Sequence, residues 1–206
     1  ATIWTQRSWN VSSVERRRGW PGPVPQGIIA RLLCRGDRCV NSTLDLISQY
    51  LDHEEWDYTV EEHPGHTYLL SSFTGSSTRL DVVFDTLPEP DTVLCFAYLP
   101  VVVPDSHRGA AAELAARINY RLAIGCFDFD PDDGVLRVRN ALTLDGVALT
   151  PELLRGLRDA AISTADYYNP AFMRLIYGQL SAREALEELL AQSGEEKVVP
   201  AGRMLQ

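Results

Sequence analysis

From Ser42 onward the apolar positions follow a clear rhythm, and the rhythm changes several times. Ser42-Thr43 precede Leu44, Ile47 and Leu51, which recur at helical spacing, with Asp45 in the first turn. This predicts a helix over 43–55. Residues 56–62 then alternate, placing Trp56, Tyr58 and Val60 on one face. Pro64-Gly65 marks a turn. Further strands are predicted over 66–74, 79–86 and 92–99, the last nearly continuous in apolar residues and so central. Short loops between them favour an antiparallel meander. Residues 106–124 read as a long helix, capped by Ser106 and ended by Gly125, with Ala111, Leu114, Ala115, Ile118 and Leu122 on one face.

A hairpin follows. Pairing Asp130 with Val135 across Pro131-Asp132-Asp133-Gly134 sets Phe129 opposite Leu136 and Phe127 opposite Val138. The same register sets Asp128 opposite Arg137, so apolar and charged patterns agree on one alignment. Thr150-Pro151-Glu152 opens a helix to about Tyr168, and Asn169-Pro170 is read as the start of a second, ending at Tyr177. Ser181 and Glu184 form a capping box for a third, reaching about Leu190. The expected fold is therefore α+β, an antiparallel sheet packed with a long helix and followed by C-terminal helices. The domain is set at 44–192, with a flexible tail over 193–206.

Residues 1–43 stand apart. They hold seven arginines against Glu15 and Asp37, and are broken by Gly19, Pro21, Gly22, Pro23 and Pro25. Three readings stay open: a non-native or unstructured extension, a transit-like segment, and a basic arm for an acidic partner. The sequence Cys34-Arg-Gly-Asp-Arg-Cys39 within it is read as a chance occurrence. The whole chain carries a net charge of −9, so the rest of it is more acidic still. Such a body repels phosphate backbones, which argues against nucleic-acid binding. No apolar run has the length of a membrane span, and four scattered cysteines make no disulfide framework. The expected location is the cytoplasm, or an organellar stroma if the first residues are a targeting remnant.

Candidate chemistry is sparse. Asp128 to Gly134 begins like a calcium loop, but its sixth and twelfth positions are Asp133 and Arg139 where that loop needs Gly and an acid. A hairpin turn is the better reading. His63 and His66 flank a turn near Glu61 and Glu62, without a second ligand pair to complete a metal site. Cys95 and Cys126 sit at strand-like apolar positions, where a thiol is ordinarily a small core residue. No nucleophile elbow, P-loop or dinucleotide glycine pattern occurs. No catalytic residue, metal or cofactor is therefore assigned.

One series of residues carries a resemblance. It runs through Leu46-Ile-Ser-Gln-Tyr-Leu51 with Trp56, Leu99-Pro100, Val103-Pro104, Arg108 and Glu113-Leu-Ala-Ala-Arg-Ile-Asn-Tyr120. It continues through Gly125, Phe127, Asp132-Asp-Gly134, Arg137 and Ile162-Ser-Thr-Ala-Asp166-Tyr-Tyr-Asn-Pro170. Over about 44–190 the chain resembles the YbjN family of bacterial proteins. The resemblance implies an α/β sandwich similar to type III secretion chaperones, often dimeric, with a regulatory or stress-signalling role and no catalytic residues. The expected function is a non-enzymatic protein-binding domain, chaperone-like or adaptor, acting as a homodimer. The alternative is a regulator in a signalling or transcription pathway that does not touch DNA, and a small hydrolase ranks last. A half-covered sheet leaves a face or edge for a partner. The candidate contact residues are Trp56, Tyr68, Phe73, Tyr98, Val101, Val102 and Val103, the last three being either a docking ledge or buried.

Overall fold

The computed structural model describes residues 43–63, 66–88 and 91–193, all within the unit Asn41–Gln206. The basic segment before Thr43 and the tail after Ser193 lie outside the described residues. The order is α1 (Thr43–His53), β1 (Tyr58–His63), β2 (His66–Thr74), β3 (Arg79–Pro88), β4 (Asp91–Val102), α2 (Arg108–Asn119), β5 (Cys126–Phe129), β6 (Val135–Thr143), α3 (Pro151–Tyr177) and α4 (Ala182–Ser193). The six strands of the described residues form one antiparallel sheet in the order β1-β2-β3-β4-β6-β5. The fold is the α+β type expected, and the hairpin register matches residue for residue, with Phe127 on Val138 and Asp128 on Arg137.

One sheet face holds the core. Leu80, Val82, Phe84, Val93, Cys95, Ala97, Leu136 and Val138 point to it and are fully buried or nearly so. They share a single apolar cluster with Ile47 and Leu51 of α1, Leu114 and Ile118 of α2, Leu154, Phe172 and Leu175 of α3, and Leu186 of α4. α3 crosses β6, β4 and β3, and α1 lies on β2 and β3. The long covering helix is thus α3, not the segment after Pro104. That segment opens as a 3-10 turn, Asp105–His107, and its α-helix spans only Arg108–Asn119. Ser106 does not cap it: its hydroxyl pairs with His107 Nδ1 at 2.9 Å. At the last residue of the helix, Asn119 turns its side-chain amide to β5, accepting from Phe127 N–H at 2.7 Å and donating to Phe127 C=O at 3.0 Å. Gly125 (φ +71°) lies beyond, at the entry to β5.

The two helices expected over 150–177 are one. Thr150 caps it and Pro151 opens it, yet Pro170 lies inside. An interior proline leaves the carbonyl four residues earlier without its helical donor. That carbonyl belongs to Asp166, and it accepts from Ser77 Oγ at 2.7 Å. Tertiary contact thus replaces the missing bond, and the helix continues. The capping box of α4 is present, with Ser181 N–H donating to Glu184 Oε2 at 2.9 Å.

The Val101–Val103 ledge is divided. Val102 pairs with Val135 and is 43% exposed, whereas Val103 is wholly buried and presents no surface to a partner. Val101 packs half-buried against the core. Gly134 (φ +78°) donates its N–H to the Asp130 carbonyl at 2.8 Å and accepts from Val103 N–H at 2.9 Å, and a Cβ on it would collide with Val103 O. Arg108 closes the same loop, donating to Pro131 and Asp132 carbonyls at 2.9 Å each. Gly134→Ala should lower stability by about 2 kcal/mol, from positive φ plus the close approach. Denaturant unfolding monitored by circular dichroism measures it.

Candidate functional site

The seven predicted contact residues do not form one surface. Trp56 and Phe73 come together, their rings stacked at 5.8 Å and 18°. Register explains it: β1 and β2 pair so that Trp56, two residues before Tyr58, falls opposite Phe73 on the helix side of the sheet. Below them runs α3, which contributes Arg158, Asp159, Ile162, Ser163 and Asp166 to a groove of about 380 Å³. Trp56 and Phe73 are half-buried, so each ring keeps an open side.

Arg158 builds the floor. It is 8% exposed, and its guanidinium carbon lies 4.6 Å from the Trp56 ring centre and 5.6 Å from that of Tyr50. Nε donates to Asp159 at 2.8 Å, and Nη1 stands 3.7 Å from Glu54 Oε2. A cation between two aromatic faces and two carboxylates is held in place and supports the Trp56 ring from beneath.

Asp166 closes the far end. Its carboxylate accepts from Ser76 N–H (2.8 Å), Ser76 Oγ (2.6 Å) and Ser77 N–H (2.8 Å), with Thr78 N–H at 3.2 Å, and shares the one Ser77 Oγ proton (2.8 Å) with the Asp166 carbonyl. The β2–β3 turn is thereby bound to α3. Burial pulls this carboxyl up, but the serine hydroxyls and amides outweigh it and hold it at about 2. Gly75 is needed here because a Cβ would run into the Asp166 carboxylate. Sequence reasoning passed over Arg158 and Asp166. A signal for Asp166 existed, since Pro170 must free its carbonyl if the helix continues.

Tyr68 and Tyr98 point to the other face of the sheet. That face is not a dry apolar patch. Arg137 stacks on Phe96 at 4.2 Å and donates to Tyr98 Oη at 2.8 Å. Asp128 takes Arg139 at 2.8 Å and Arg137 at 3.5 Å, and His66 stands 3.3 Å from buried Asp85. Burial raises the Tyr98 hydroxyl against the pull of Arg137. The face is a network of paired charges and rings.

Among the described residues, neither thiol is a ready nucleophile. Burial pushes Cys95 up to about 12. Cys126 has the basic neighbour such a role needs, with Arg139 Nη2 at 3.4 Å, yet burial and Asp128 raise it as well. Among the described residues no three His, Cys, Asp or Glu side chains gather as metal ligands, and no helix is long and apolar enough to cross a membrane.

Residues 43–174 match the family model YbjN, described as "Putative bacterial sensory transduction regulator". Among solved structures, the chain is similar to "YbjN, a putative transcription regulator from E. coli", at 20% identity and a TM-score of 0.44, over 63% of this chain and 93% of that one. It is also similar to a chain of the ExsC-ExsE complex at 15% identity and a TM-score of 0.40, over 65% of this chain and 96% of that one. No curated protein matches the sequence.

Proposed function

Because the chain belongs to the YbjN family, we propose that it is a non-enzymatic protein-binding domain, chaperone-like or adaptor, that serves bacterial regulation or stress response in the cytoplasm as a homodimer. The observation that carries this reading is the Trp56–Phe73 groove. Half-buried stacked aromatics over a fixed cation are costly to leave to water, and aromatic rings with rigid support are what protein partners anchor on. The raised thiols and the absence of a recognised catalytic motif in the sequence fit a binding role. The family description favours a second reading, a signalling or transcription regulator that does not contact DNA itself. The acidic balance of the chain supports the last clause.

The test is capture from a bacterial lysate by the full chain and by Ser163→Arg, with a light-scattering mass alongside. Ser163 is exposed and lines the groove, so a long side chain there fills the space without disturbing the core. One stoichiometric protein retained by the wild type and reduced at least about tenfold by Ser163→Arg is expected, the size of effect that loss of a buried anchor produces. Equal capture by both chains moves the site elsewhere, and a light-scattering mass of one chain removes the dimer.

A further inference from the structure

The two outer strands of the sheet end differently. On β5 the outward N–H and C=O of Phe127 are both taken by the Asn119 side chain, at 2.7 and 3.0 Å. β1, the other outer strand, pairs among the described residues with β2 alone. Every second residue of such a strand turns its N–H and C=O outward. Val60, in the middle of β1, is 51% exposed, on the same row as Trp56. Natural edges are usually blunted by charged side chains, above all lysine, by proline or by a bulge. β1 reads Tyr-Thr-Val-Glu-Glu-His, with no lysine, proline or bulge, and its only charges are the acids Glu61 and Glu62, which a cationic strand would meet favourably.

The charge beside this edge has one sign. Residues 51–63 hold Asp52, Glu54, Glu55, Asp57, Glu61 and Glu62 and no lysine or arginine. Glu54 is taken up by Arg155 and Arg158 of α3. Glu55, Asp57 and Glu62 are exposed. A second copy of β1 laid here would bring further acids and no cation from residues 51–63 to meet those already at this edge, which disfavours self-pairing. We propose that β1 is a docking edge for an extended, arginine- or lysine-rich segment of another protein. The segment pairs with the β1 backbone, covers Val60, meets Asp57, Glu61 and Glu62 with its cations and sets an apolar side chain into the groove at Trp56. This rests on the protein-binding reading and names the chemistry of the partner.

The test uses the full chain and a labelled nine-residue peptide of alternating valine and arginine. Its controls are a glutamate-for-arginine peptide and one N-methylated on alternate amides. Fluorescence anisotropy should show the arginine peptide binding at least about tenfold more tightly than either control. Val60→Lys/Glu62→Lys, both at exposed positions, should weaken it about tenfold by introducing the edge lysine that natural sheets use for protection. Hydrogen exchange at the β1 amides should slow when the peptide binds. Equal binding of the N-methylated or glutamate peptide overturns the proposal. So does β1 protection already present in the free chain: if it rises with concentration, a second copy holds the edge, and if not, the chain's own residues do. A lysate partner held equally by wild type and Val60→Lys/Glu62→Lys but lost from Ser163→Arg overturns the edge while leaving the binding reading intact. Peptide bound at β1 with no protein captured by the wild type upholds the edge and sinks that reading.

Discussion

Replacing Asp166 by alanine should lower stability by about 2–3 kcal/mol, more than any other exposed-side substitution proposed for this chain. The carboxylate accepts from two hydroxyls and up to three amides of the β2–β3 turn. Hydrogen bonds to a charged group are each worth about 1.5–3 kcal/mol when dry, and partial exposure here reduces the total. The pH dependence has a definite sign. The folded carboxyl sits at about 2, below the roughly 3.9 of an unfolded aspartate. Its stabilisation is therefore complete above about pH 4 and is lost as pH falls toward 2. Asp166→Asn keeps the shape and loses the charge, so its unfolding midpoint should fall at neutral pH and change less than the wild type's between pH 4 and 2. Urea midpoints across that range measure both effects. A parallel shift of the two curves would assign the acid sensitivity to another carboxylate.

Arg158→Ala should cost about 3 kcal/mol and open the groove. The side chain is 8% exposed and supports two aromatic rings. Each cation–π contact contributes about 0.5–2 kcal/mol, rising as water is excluded. Its loss also leaves Glu54 to Arg155 and takes from Asp159 the guanidinium it bonds. Arg158→Lys should recover less than half of the loss, because an ammonium lacks the planar face that meets the Trp56 ring and the Nε–H that bonds Asp159. Chemical denaturation gives the stability. Partner capture by Arg158→Lys, tested where the variant is fully folded, shows whether the Trp56 ring must be held still for binding.

Much of this architecture was legible in the chain itself. The strand periods, the hairpin register around Asp132-Asp133-Gly134 and the capping box at Ser181 are local patterns, and local patterns survive folding. The misreadings share a cause. Pro170 looks like a helix boundary because the sequence cannot show that Ser77, 93 positions earlier, supplies the missing donor. Ser106 looks like a cap because the turn before Arg108 is not visible as a 3-10 step. Asn119 is helical as its spacing suggests, but the bond from its side chain to β5 has no local signal. The candidate site was legible in part. Trp56 and Phe73 were singled out for their rings, and register alone brings them together. Tyr68 and Tyr98 were singled out for the same reason, but alternation sends them to the opposite face. Arg158 was missed because a lone arginine in an amphipathic helix resembles a solvated one until the aromatic rings around it are known.

The side chain of Asn119 also limits how such molecules can associate. A sheet bare on both flanks can add neighbours without end, and that is the geometry of a fibril. Here one flank is already answered by an amide that imitates the backbone of a next strand. A strand added at the β5 flank would first have to displace Asn119 from Phe127, so among the described strands this flank is guarded against edge-to-edge growth.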